Sequence, residues 1–338
     1  MSRASGLVVA SLLALLASCA DVTPTEPPSR PGRAGPPAAV AVTTPGQVAA
    51  YVDVTLDDEP EPPAGLTLLL AFVTAGRHGC TPTWGGNTPL DDPAVLTRVR
   101  RWRAAGHELR VSFGGERGTD LALACGDERQ LATAYRQVVS TLAPAVLDLD
   151  VEGPALADAA SVHRRSAALR LLQADAAGHP VRVAFSLPAT TAGLPAGDLA
   201  LLDDAHAAGV SVDALNAMTM NYGQVPADPA ATAITVASAA HDAMARMEPD
   251  ADSAALWRRV WVTPMIGRND VAPEVFTLAD ADRLATLARA RGLGGVAYWS
   301  LARDRPCPST TSDASSECSG VDAPPGAFTA ALSRVAAR

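Results

Sequence analysis

Lysine is absent from this chain of 338 residues, and all 27 of its basic residues are arginine. Without lysine, the chain has neither a Schiff-base amine nor the lysine of a phosphate-binding P-loop. Positive charge is also in deficit, because 36 acidic residues give a formal net charge of -9. A nucleic-acid-binding protein normally carries a basic face, so the composition argues against nucleic acid as a partner.

Aromatic residues make up only 4% of the chain, and cysteine occurs five times. Apolar residues nevertheless account for 48%, which is enough to bury a substantial core. The length allows one large domain or two of ordinary size. Because aromatic side chains are scarce, the places where they occur are informative.

The N-terminal residues have the form of an export signal. Arg3 precedes an apolar run over residues 7–17 that is too short to cross a bilayer, and Leu16-Ala17-Ser18-Cys19 closes it. Small residues before a cysteine resemble a bacterial lipoprotein signal, which implies a signal peptide over 1–18 and lipidation of Cys19. The alternative is an ordinary secretory peptide in which Cys19 is incidental. Both alternatives predict export, either to the cell surface on a membrane anchor or into the medium.

The segment 19–46 is dense in proline, with Gly, Thr and Arg, and it has no apolar periodicity. Such a composition cannot bury a core and is typical of an extended tether. We therefore expect one folded domain over 47–338, attached through this tether and monomeric.

Four cysteines remain for the folded domain once Cys19 is set aside. Export permits disulfide bonds. Cys307 and Cys318 flank a short loop rich in Ser and Thr, so pairing them is simplest, and Cys80 would then pair with Cys125. Other connectivities stay open. A zinc site is the competing interpretation, but no CxxC spacing or nearby histidine supports it. We predict no metal and no cofactor.

From residue 48 the chain alternates apolar runs with amphipathic stretches. Several runs are apolar almost throughout, as expected of strands covered on both faces. The predicted strands are 48–56, 66–74, 108–114, 145–152, 181–187, 214–220, 260–266 and 294–300.

Helical patterns lie between most of these strands. Asp92-Pro93 and Asp228-Pro229 each place an N-cap residue before proline at the first helical position, and Thr277 with Asp280 resembles a capping box. The predicted helices are 94–105, 128–142, 161–177, 198–208, 230–247 and 278–291. The first link, 57–65, is short and rich in proline, which disfavours a full helix there.

Eight strands alternating with helices predict a (β/α)8 TIM barrel, of class α/β. The alternative is an open doubly wound sheet, but no glycine-rich phosphate-binding fingerprint follows the first strand.

The fourth predicted strand carries three acids at alternate positions. Residues two apart on a strand face the same way, so Asp148, Asp150 and Glu152 all point into the barrel, on successive steps of about 6.6 Å. Burying three anions together costs several kcal/mol unless they share protons or bind cations. A purely structural strand would not carry them, so we expect a functional site at the carboxyl ends of the strands.

Two chemistries are compatible with such a row of acids. One is a cage of oxygen ligands for a divalent metal. The other is acid catalysis, in which crowding raises a carboxyl pKa, and Glu152, nearest the barrel mouth, would meet the substrate. Ordinary glycosidases place a second carboxylate across the sugar ring. Because these acids share one side, a glycosidase of this kind would need a nucleophile supplied by the substrate.

The motifs at five strand ends resemble glycoside hydrolase family 18, in particular its chitinases. That family carries S-x-G-G on the third barrel strand and D-x-x-D-x-D-x-E on the fourth. The matching segments are Ser112-Phe113-Gly114-Gly115, Asp148-Leu149-Asp150-Val151-Glu152, Met218-Thr219-Met220-Asn221-Tyr222-Gly223, Pro264-Met265-Ile266-Gly267-Arg268-Asn269-Asp270 and Tyr298-Trp299-Ser300. The first aspartate of the family signature is replaced here by Ala145, which we expect to change the proton inventory of the buried acids.

The resemblance implies a retaining mechanism in which the 2-acetamido group of the sugar is the nucleophile. Glu152 would be the general acid and base, Asp150 would orient the acetamide, and Asp148 would share a proton with Asp150. Ser112 would hydrogen-bond the acid pair. The implied substrate is chitin or its oligosaccharides, with N-glycan cores cleaved by an endo-β-N-acetylglucosaminidase as one alternative. A chitin-binding lectin without activity is another.

The remaining candidates for sugar contacts come from the strand ends. The resemblance implies that Trp299 is a flat apolar floor under the sugar and that Tyr222, Asn221 and Met220 lie beside the acetamide. Asp270 could bond a sugar hydroxyl or shape a turn. Trp84, in a loop after the second strand, could extend the sugar platform or plug the barrel rim.

Overall fold

The fold is described from a computed structural model that covers residues 46–56, 58–175, 181–309 and 313–336. The predicted signal peptide, Cys19 and all of the tether except Gly46 lie outside these described residues. Gly46 donates its backbone N–H to the carbonyl of Leu293 at 3.1 Å, which joins the first described residue to the barrel domain.

Twelve strands lie within the described ranges. They are β1 (Gln47–Asp53), β2 (Thr67–Gly76), β3 (Gly79–Trp84), β4 (Thr88–Pro89), β5 (Leu109–Gly114), β6 (Val146–Asp150), β7 (Val183–Leu187), β8 (Ala214–Met218), β9 (Val260–Thr263), β10 (Gly267–Arg268), β11 (Val275–Phe276) and β12 (Gly295–Tyr298).

Eight of these strands close into a parallel barrel, in the order β1-β2-β5-β6-β7-β8-β9-β12, with β12 pairing back to β1. All eight predicted strands are present, although most are shorter than predicted. The (β/α)8 barrel is confirmed. The doubly wound alternative is wrong, because the β1–β2 and β1–β12 pairings leave no open edge among the eight barrel strands.

The other strands decorate the carboxyl ends of the barrel. β3 pairs antiparallel with the end of β2, where Trp84 lies opposite Val73, and β4 extends that sheet. β10 and β11 form a separate hairpin after the seventh barrel strand. Sequence periodicity did not predict either addition, because both are too short to show it.

The described helices cover the outside of the barrel. They are α1 (Pro93–Ala104), α2 (Leu121–Ala124), α3 (Glu128–Leu142), α4 (Gly153–Ala157), α5 (Ala159–Asp175), α6 (Ala196–Ala207), α7 (Pro229–Met247), α8 (Ser253–Trp257), α9 (Leu278–Arg291) and α10 (Ala327–Leu332), with 3-10 turns at Leu301–Arg303 and Ser333–Ala336. All six predicted helices are present. Within the described ranges, no helix combines the length and apolarity that a membrane crossing requires.

The predicted helix caps are confirmed. The side chains of Asp92 and Asp228 accept backbone N–H groups in the first turns of α1 and α7. Thr277 and Asp280 form the reciprocal capping box of α9. Local sequence therefore determines where these helices begin.

Apolar residues form two separate cores. The larger core lies between the strands and the helices. The smaller lies inside the barrel, where small side chains such as Ala184 and Ala214 surround Trp261, which is 2% exposed. A Cβ on Gly295 would lie 2.3 Å from the Trp261 ring, so only glycine permits this indole to fill the lower end of the barrel.

Both predicted disulfide bonds are present. Cys80 is bonded to Cys125 and joins β3 to the end of α2, and Cys307 is bonded to Cys318 within the C-terminal loop. The first closes a segment with a sequence separation of 45 residues, and the second one of 11. The longer loop restricts the unfolded chain more, so the entropy model assigns it the larger stabilisation.

Asp198 is a fully buried carboxyl group that has no hydrogen-bond partner among the described residues. It is the third residue of α6, where an acidic side chain commonly accepts the backbone N–H of the N-cap residue. The N-cap here is Pro195, which has no N–H to donate. Burial raises the pKa of Asp198 to about 7, so the fold favours the protonated acid.

Asp198→Asn should therefore become more stable relative to wild type as the pH rises. The folded-state pKa of about 7 exceeds the unfolded value of about 3.9, so wild type loses stability across that interval, whereas an amide does not titrate. We expect the difference in free energy of unfolding to shift by about 2 to 4 kcal/mol in favour of the variant between pH 4 and pH 8. Denaturant titrations at both pH values measure it. A difference independent of pH would show that the pKa of Asp198 is the same in the folded and unfolded chain, and therefore that burial does not raise it.

Candidate active site

Three acids ascend the inner face of β6 and the residues that follow it. Asp148 and Asp150 are 1% and 4% exposed, while Glu152 is half-buried at the mouth. The strand register places Asp148 beside Ser112 of β5, with Asp150 one layer higher. The burial of Asp148 and Asp150 agrees with the prediction that their side chains point into the barrel.

Asp148 lies in a network of hydroxyl donors. Ser112 Oγ and Tyr51 Oη donate to its Oδ2 at 2.7 and 3.2 Å, and Ser186 Oγ donates to its Oδ1 at 2.7 Å. Asn216 Nδ2 in turn donates to Ser186 Oγ at 2.9 Å. The predicted bond from Ser112 is thus confirmed for Asp148. Burial raises the pKa of Asp148, and the three hydroxyl donors oppose that increase.

Asp150 lies between Asp148 and Glu152 and interacts with both acids. Its Oδ1 is buried and accepts no hydrogen bond from the described residues. Burial, followed by the charges of Glu152 and Asp148, raises its pKa well above the ordinary value. At neutral pH this arrangement favours a proton held within the row of acids.

Glu152 is the acid that faces solvent. It occupies the N-cap position of α4, yet its side chain makes no capping hydrogen bond, so its carboxyl group is not committed to the helix. Burial raises the pKa of Glu152, and the exposed Glu116 adds to the increase. Both effects favour the protonated form that a general acid requires.

The two glycines of the S-x-G-G segment allow the strands to approach each other. Both have positive φ, 91° at Gly114 and 79° at Gly115. A Cβ on Gly114 would lie 2.2 Å from the carbonyl oxygen of Asp150, and one on Gly115 would lie 3.0 Å from the ring of Phe72. A side chain at Gly114 would displace the strand that carries the acids, and one at Gly115 would displace the ring of Phe72.

An aromatic cluster lies beside the acids inside the barrel mouth. Trp299 stacks on Phe72 with ring centroids 5.5 Å apart, and Tyr51 contacts both rings at 5.9 Å. Trp299 and Phe72 remain partly exposed. Tyr298 next to Trp299 is fully buried and bonds Thr329, as expected of a packing residue facing the other way.

The loop after β8 holds the predicted acetamide contacts. Tyr222 and Met220 are half-buried, and the phenol oxygen of Tyr222 has no hydrogen-bond partner among the described residues. Asn221 has a positive φ of 53°. Its Nδ2 donates to Asp270 Oδ2 at 3.3 Å, so the structure brings these two predicted residues together.

Two expectations from the sequence are corrected. Trp84 is fully buried in the outer core, so it packs against the barrel and presents no surface to a sugar. Ala145 is exposed and precedes β6, about 23 Å of extended chain before Glu152. An acid at that position would not join the buried row, so its absence leaves the proton inventory there unchanged.

Other residues of the site were missed by the sequence analysis. Tyr51 and Phe72 come from the first two strands, and Ser186 and Asn216 from the fifth and sixth. Their alternation within each strand predicted burial but not which polar groups would meet. Tyrosine is rare in this chain, and Tyr51 in a strand of small apolar residues is the one signal that could have been used.

A metal site is not apparent in the part of the chain that the structure describes: no group of three or more His, Cys, Asp or Glu side chains is arranged to hold an ion there. Asp148, Asp150 and Glu152 occupy successive levels of one strand instead of converging on a point. This geometry favours proton sharing along the row.

Comparison with known proteins finds chitinases. The catalytic domain of a hyperthermophilic chitinase from Pyrococcus furiosus is 30% identical, with a TM-score of 0.77 over 86% of this chain and 95% of that one. A probable bifunctional chitinase/lysozyme of Escherichia coli K12 is 33% identical over 76% of this chain and 31% of its own. Endochitinase 11 of Metarhizium anisopliae is 32% identical over 76% of this chain and 52% of its own. No protein-family model matches the chain.

The fold and the relatives together define a glycoside hydrolase built on a (β/α)8 barrel. The chain belongs to glycoside hydrolase family 18, among its chitinase-type members. It spans about a third and about a half of the two longer relatives but nearly all of the archaeal catalytic domain.

Proposed function

We propose that this protein hydrolyses β-1,4-linked N-acetylglucosamine polymers, namely chitin and chito-oligosaccharides, with retention of anomeric configuration. The observation that carries this proposal is the row of Asp148, Asp150 and Glu152 on one strand, each with a raised pKa. A protonated Glu152 above a buried carboxyl pair suits a substrate that brings its own nucleophile.

In the first step, Glu152 transfers its proton to the glycosidic oxygen, and the bond from the anomeric carbon to that oxygen breaks with its electron pair going to the leaving sugar. The acetamido oxygen of the remaining sugar bonds to the same carbon and forms an oxazolinium ion. Asp150 accepts the acetamide N–H and stabilises the positive charge. Asp148, held by three hydroxyl donors, shares the proton of the pair.

In the second step, the Glu152 carboxylate takes a proton from water as the water oxygen bonds to the anomeric carbon. The bond to the acetamido oxygen breaks, and its electrons return to the amide. Two displacements at one carbon retain its configuration. Trp299 supports the apolar face of the sugar, and Tyr222 donates its unpartnered hydroxyl to the acetamide oxygen.

The relatives favour chitin over the alternatives. Those reported above are named as chitinases, which gives chitin priority over N-glycan cores. A lectin without activity would not need the acid, and Glu152 is present.

Hydrolysis of chito-oligosaccharides, followed by NMR of the anomeric protons, tests the reaction. We expect the β-anomer first, inhibition by thiazoline mimics of the cyclised sugar, and no effect of EDTA. A glycoprotein substrate assayed in parallel separates the N-glycan alternative. Initial release of the α-anomer would contradict the mechanism, and binding without release of reducing ends would contradict the function.

We further propose that the chain is exported and anchored through a lipid on Cys19, and that it acts as a monomer. A thioether-linked lipid requires the Cys19 sulfur. Cys19→Ala should therefore move the enzyme from the membrane fraction to the soluble fraction, without changing its activity on soluble oligosaccharides. Fractionation after labelling with a radioactive fatty acid measures both. Wild-type protein without label in the soluble fraction would contradict the anchor.

A further inference from the structure

Glu274 accepts hydrogen bonds from the turn that carries Tyr222. The Glu274 side chain is 5% exposed and lies on the loop that joins β10 to β11. Its Oε2 accepts the backbone N–H of Tyr222 at 3.1 Å, and its Oε1 accepts that of Gly223 at 2.8 Å. Two consecutive N–H groups therefore converge on one buried carboxylate.

The backbone conformation of that turn directs both N–H groups towards Glu274. Asn221 and Gly223 on either side of Tyr222 both have positive φ, 53° and 74°. Such a conformation is uncommon for asparagine and needs support from its surroundings. The two bonds to Glu274 hold the peptide planes on both sides of Tyr222, and those planes set the direction of its Cα–Cβ bond.

Backbone hydrogen bonds hold the two ends of the loop that carries Glu274 together. Asn269 donates its backbone N–H to the Glu274 carbonyl at 3.0 Å, and Glu274 donates its own to Val271 at 3.1 Å. Asn269 Nδ2 donates to the carbonyls of Met265 and Gly267 at 2.9 and 3.1 Å, which connects the loop to the segment that follows the seventh barrel strand, where Met265 pairs with Trp299. The position of Glu274, and with it that of Tyr222, is therefore fixed relative to the barrel.

The backbone N–H groups of this turn stabilise the carboxylate of Glu274. A buried carboxylate is costly unless it is hydrogen-bonded or paired. Among the ion pairs of the described residues, none includes Glu274, so the two N–H groups carry its stabilisation. Hydrogen bonds to a charged acceptor are stronger than neutral ones, so these two bonds restrict movement of the Tyr222 and Gly223 backbone.

We propose that Glu274 is a positioning residue for the reaction: by holding the Tyr222 and Gly223 peptides, it fixes the Tyr222 hydroxyl against the attacking acetamide. The inference rests on the proposed function, in which Tyr222 contacts that group. Glu274 makes no contact with the sugar and acts through Tyr222. The acetamide must be aligned with the anomeric carbon only when it attacks, so the effect falls on kcat.

A double-mutant cycle with Tyr222→Phe tests this assignment. Glu274→Gln keeps the shape but offers one acceptor and one donor to two N–H groups. We expect kcat on chito-oligosaccharides to fall about 10-fold for Glu274→Gln and about 30-fold for Tyr222→Phe, with KM changed less than about 2-fold. In the Tyr222→Phe background, Glu274→Gln should lower kcat by less than about 2-fold more.

Affinity for a thiazoline mimic should fall in parallel with kcat. Glu248→Gln is the control, because Glu248 pairs with Arg259 at 2.7 Å after α7 and its side-chain hydrogen bonds among the described residues go to Arg259, away from the site. If Glu274→Gln does not fold, Glu274→Asp, which keeps the charge and shortens the reach, completes the same cycle. Equal losses from the Glu274 variant in both backgrounds would overturn the proposal. Failure of the proposed function would differ, because the wild-type protein itself would not cleave the polymer.

Discussion

Glu152→Gln should lower kcat on chito-oligosaccharides by about 10³-fold or more while leaving polymer binding intact. Glutamine keeps the shape of the side chain but has no proton to transfer at any pH in the assay. In wild type, burial raises the pKa of Glu152, and the charge of Glu116 adds to the increase, so the acid stays protonated above its ordinary range. Reducing-end assays and a pull-down on insoluble chitin measure the two quantities.

Glu116→Gln is the matched control for this variant. Glu116 is exposed, and removal of its charge should leave kcat near the wild-type value at the pH optimum. The same change lowers the pKa of Glu152, because a neighbouring negative charge favours the protonated form. The basic limb of the pH profile should therefore move towards lower pH. If Glu152→Gln cleaved chitin at a rate within 10-fold of wild type, Glu152 would not be the general acid.

Asp150→Asn should lower kcat by about 10² to 10³-fold. The asparagine is isosteric but neutral, so the oxazolinium ion loses the anion that stabilises its positive charge. The buried Oδ1 of Asp150 has no partner among the described residues, so the acetamide N–H of a bound sugar can meet it without displacing another group. Affinity for the thiazoline mimic should fall with kcat, and affinity for chitin should change much less.

Asp213→Asn is the control for Asp150→Asn. Asp213 is also buried, but it lies just before β8, at the amino end of the barrel. Its Oδ2 accepts the backbone N–H of Val183 at 2.9 Å, and its Oδ1 pairs with Arg182. This change should lower the stability of the fold, read as Tm, with kcat unchanged. Comparable kcat losses in both variants would mean that the effect of Asp150 is not local to the site.

Sequence patterns predicted the elements of this barrel well, because each element depends on nearby residues. The capping residues Asp92, Asp228 and Thr277 lie within a few positions of the N–H groups they accept, so the starts of three helices could be read directly. Strand 145–152 was predicted too long at both ends. Ala145 is exposed and Glu152 is the N-cap residue of α4, since the pairing of β6 with β5 and β7 runs only from Val146 to Asp150.

The sequence by itself determined the acids of the site and their common direction, since alternation along one strand needs no information from elsewhere in the chain. Only the tertiary structure decided their partners. Tyr51 reaches Asp148 across 97 positions, Glu274 holds Tyr222 across 52, and the buried Trp84 is removed from the site by its pairing with β2. Such contacts depend on how the barrel closes and on which loops meet at its mouth. Periodicity records which face a residue occupies, whereas closure of the chain over long distances sets what that residue touches.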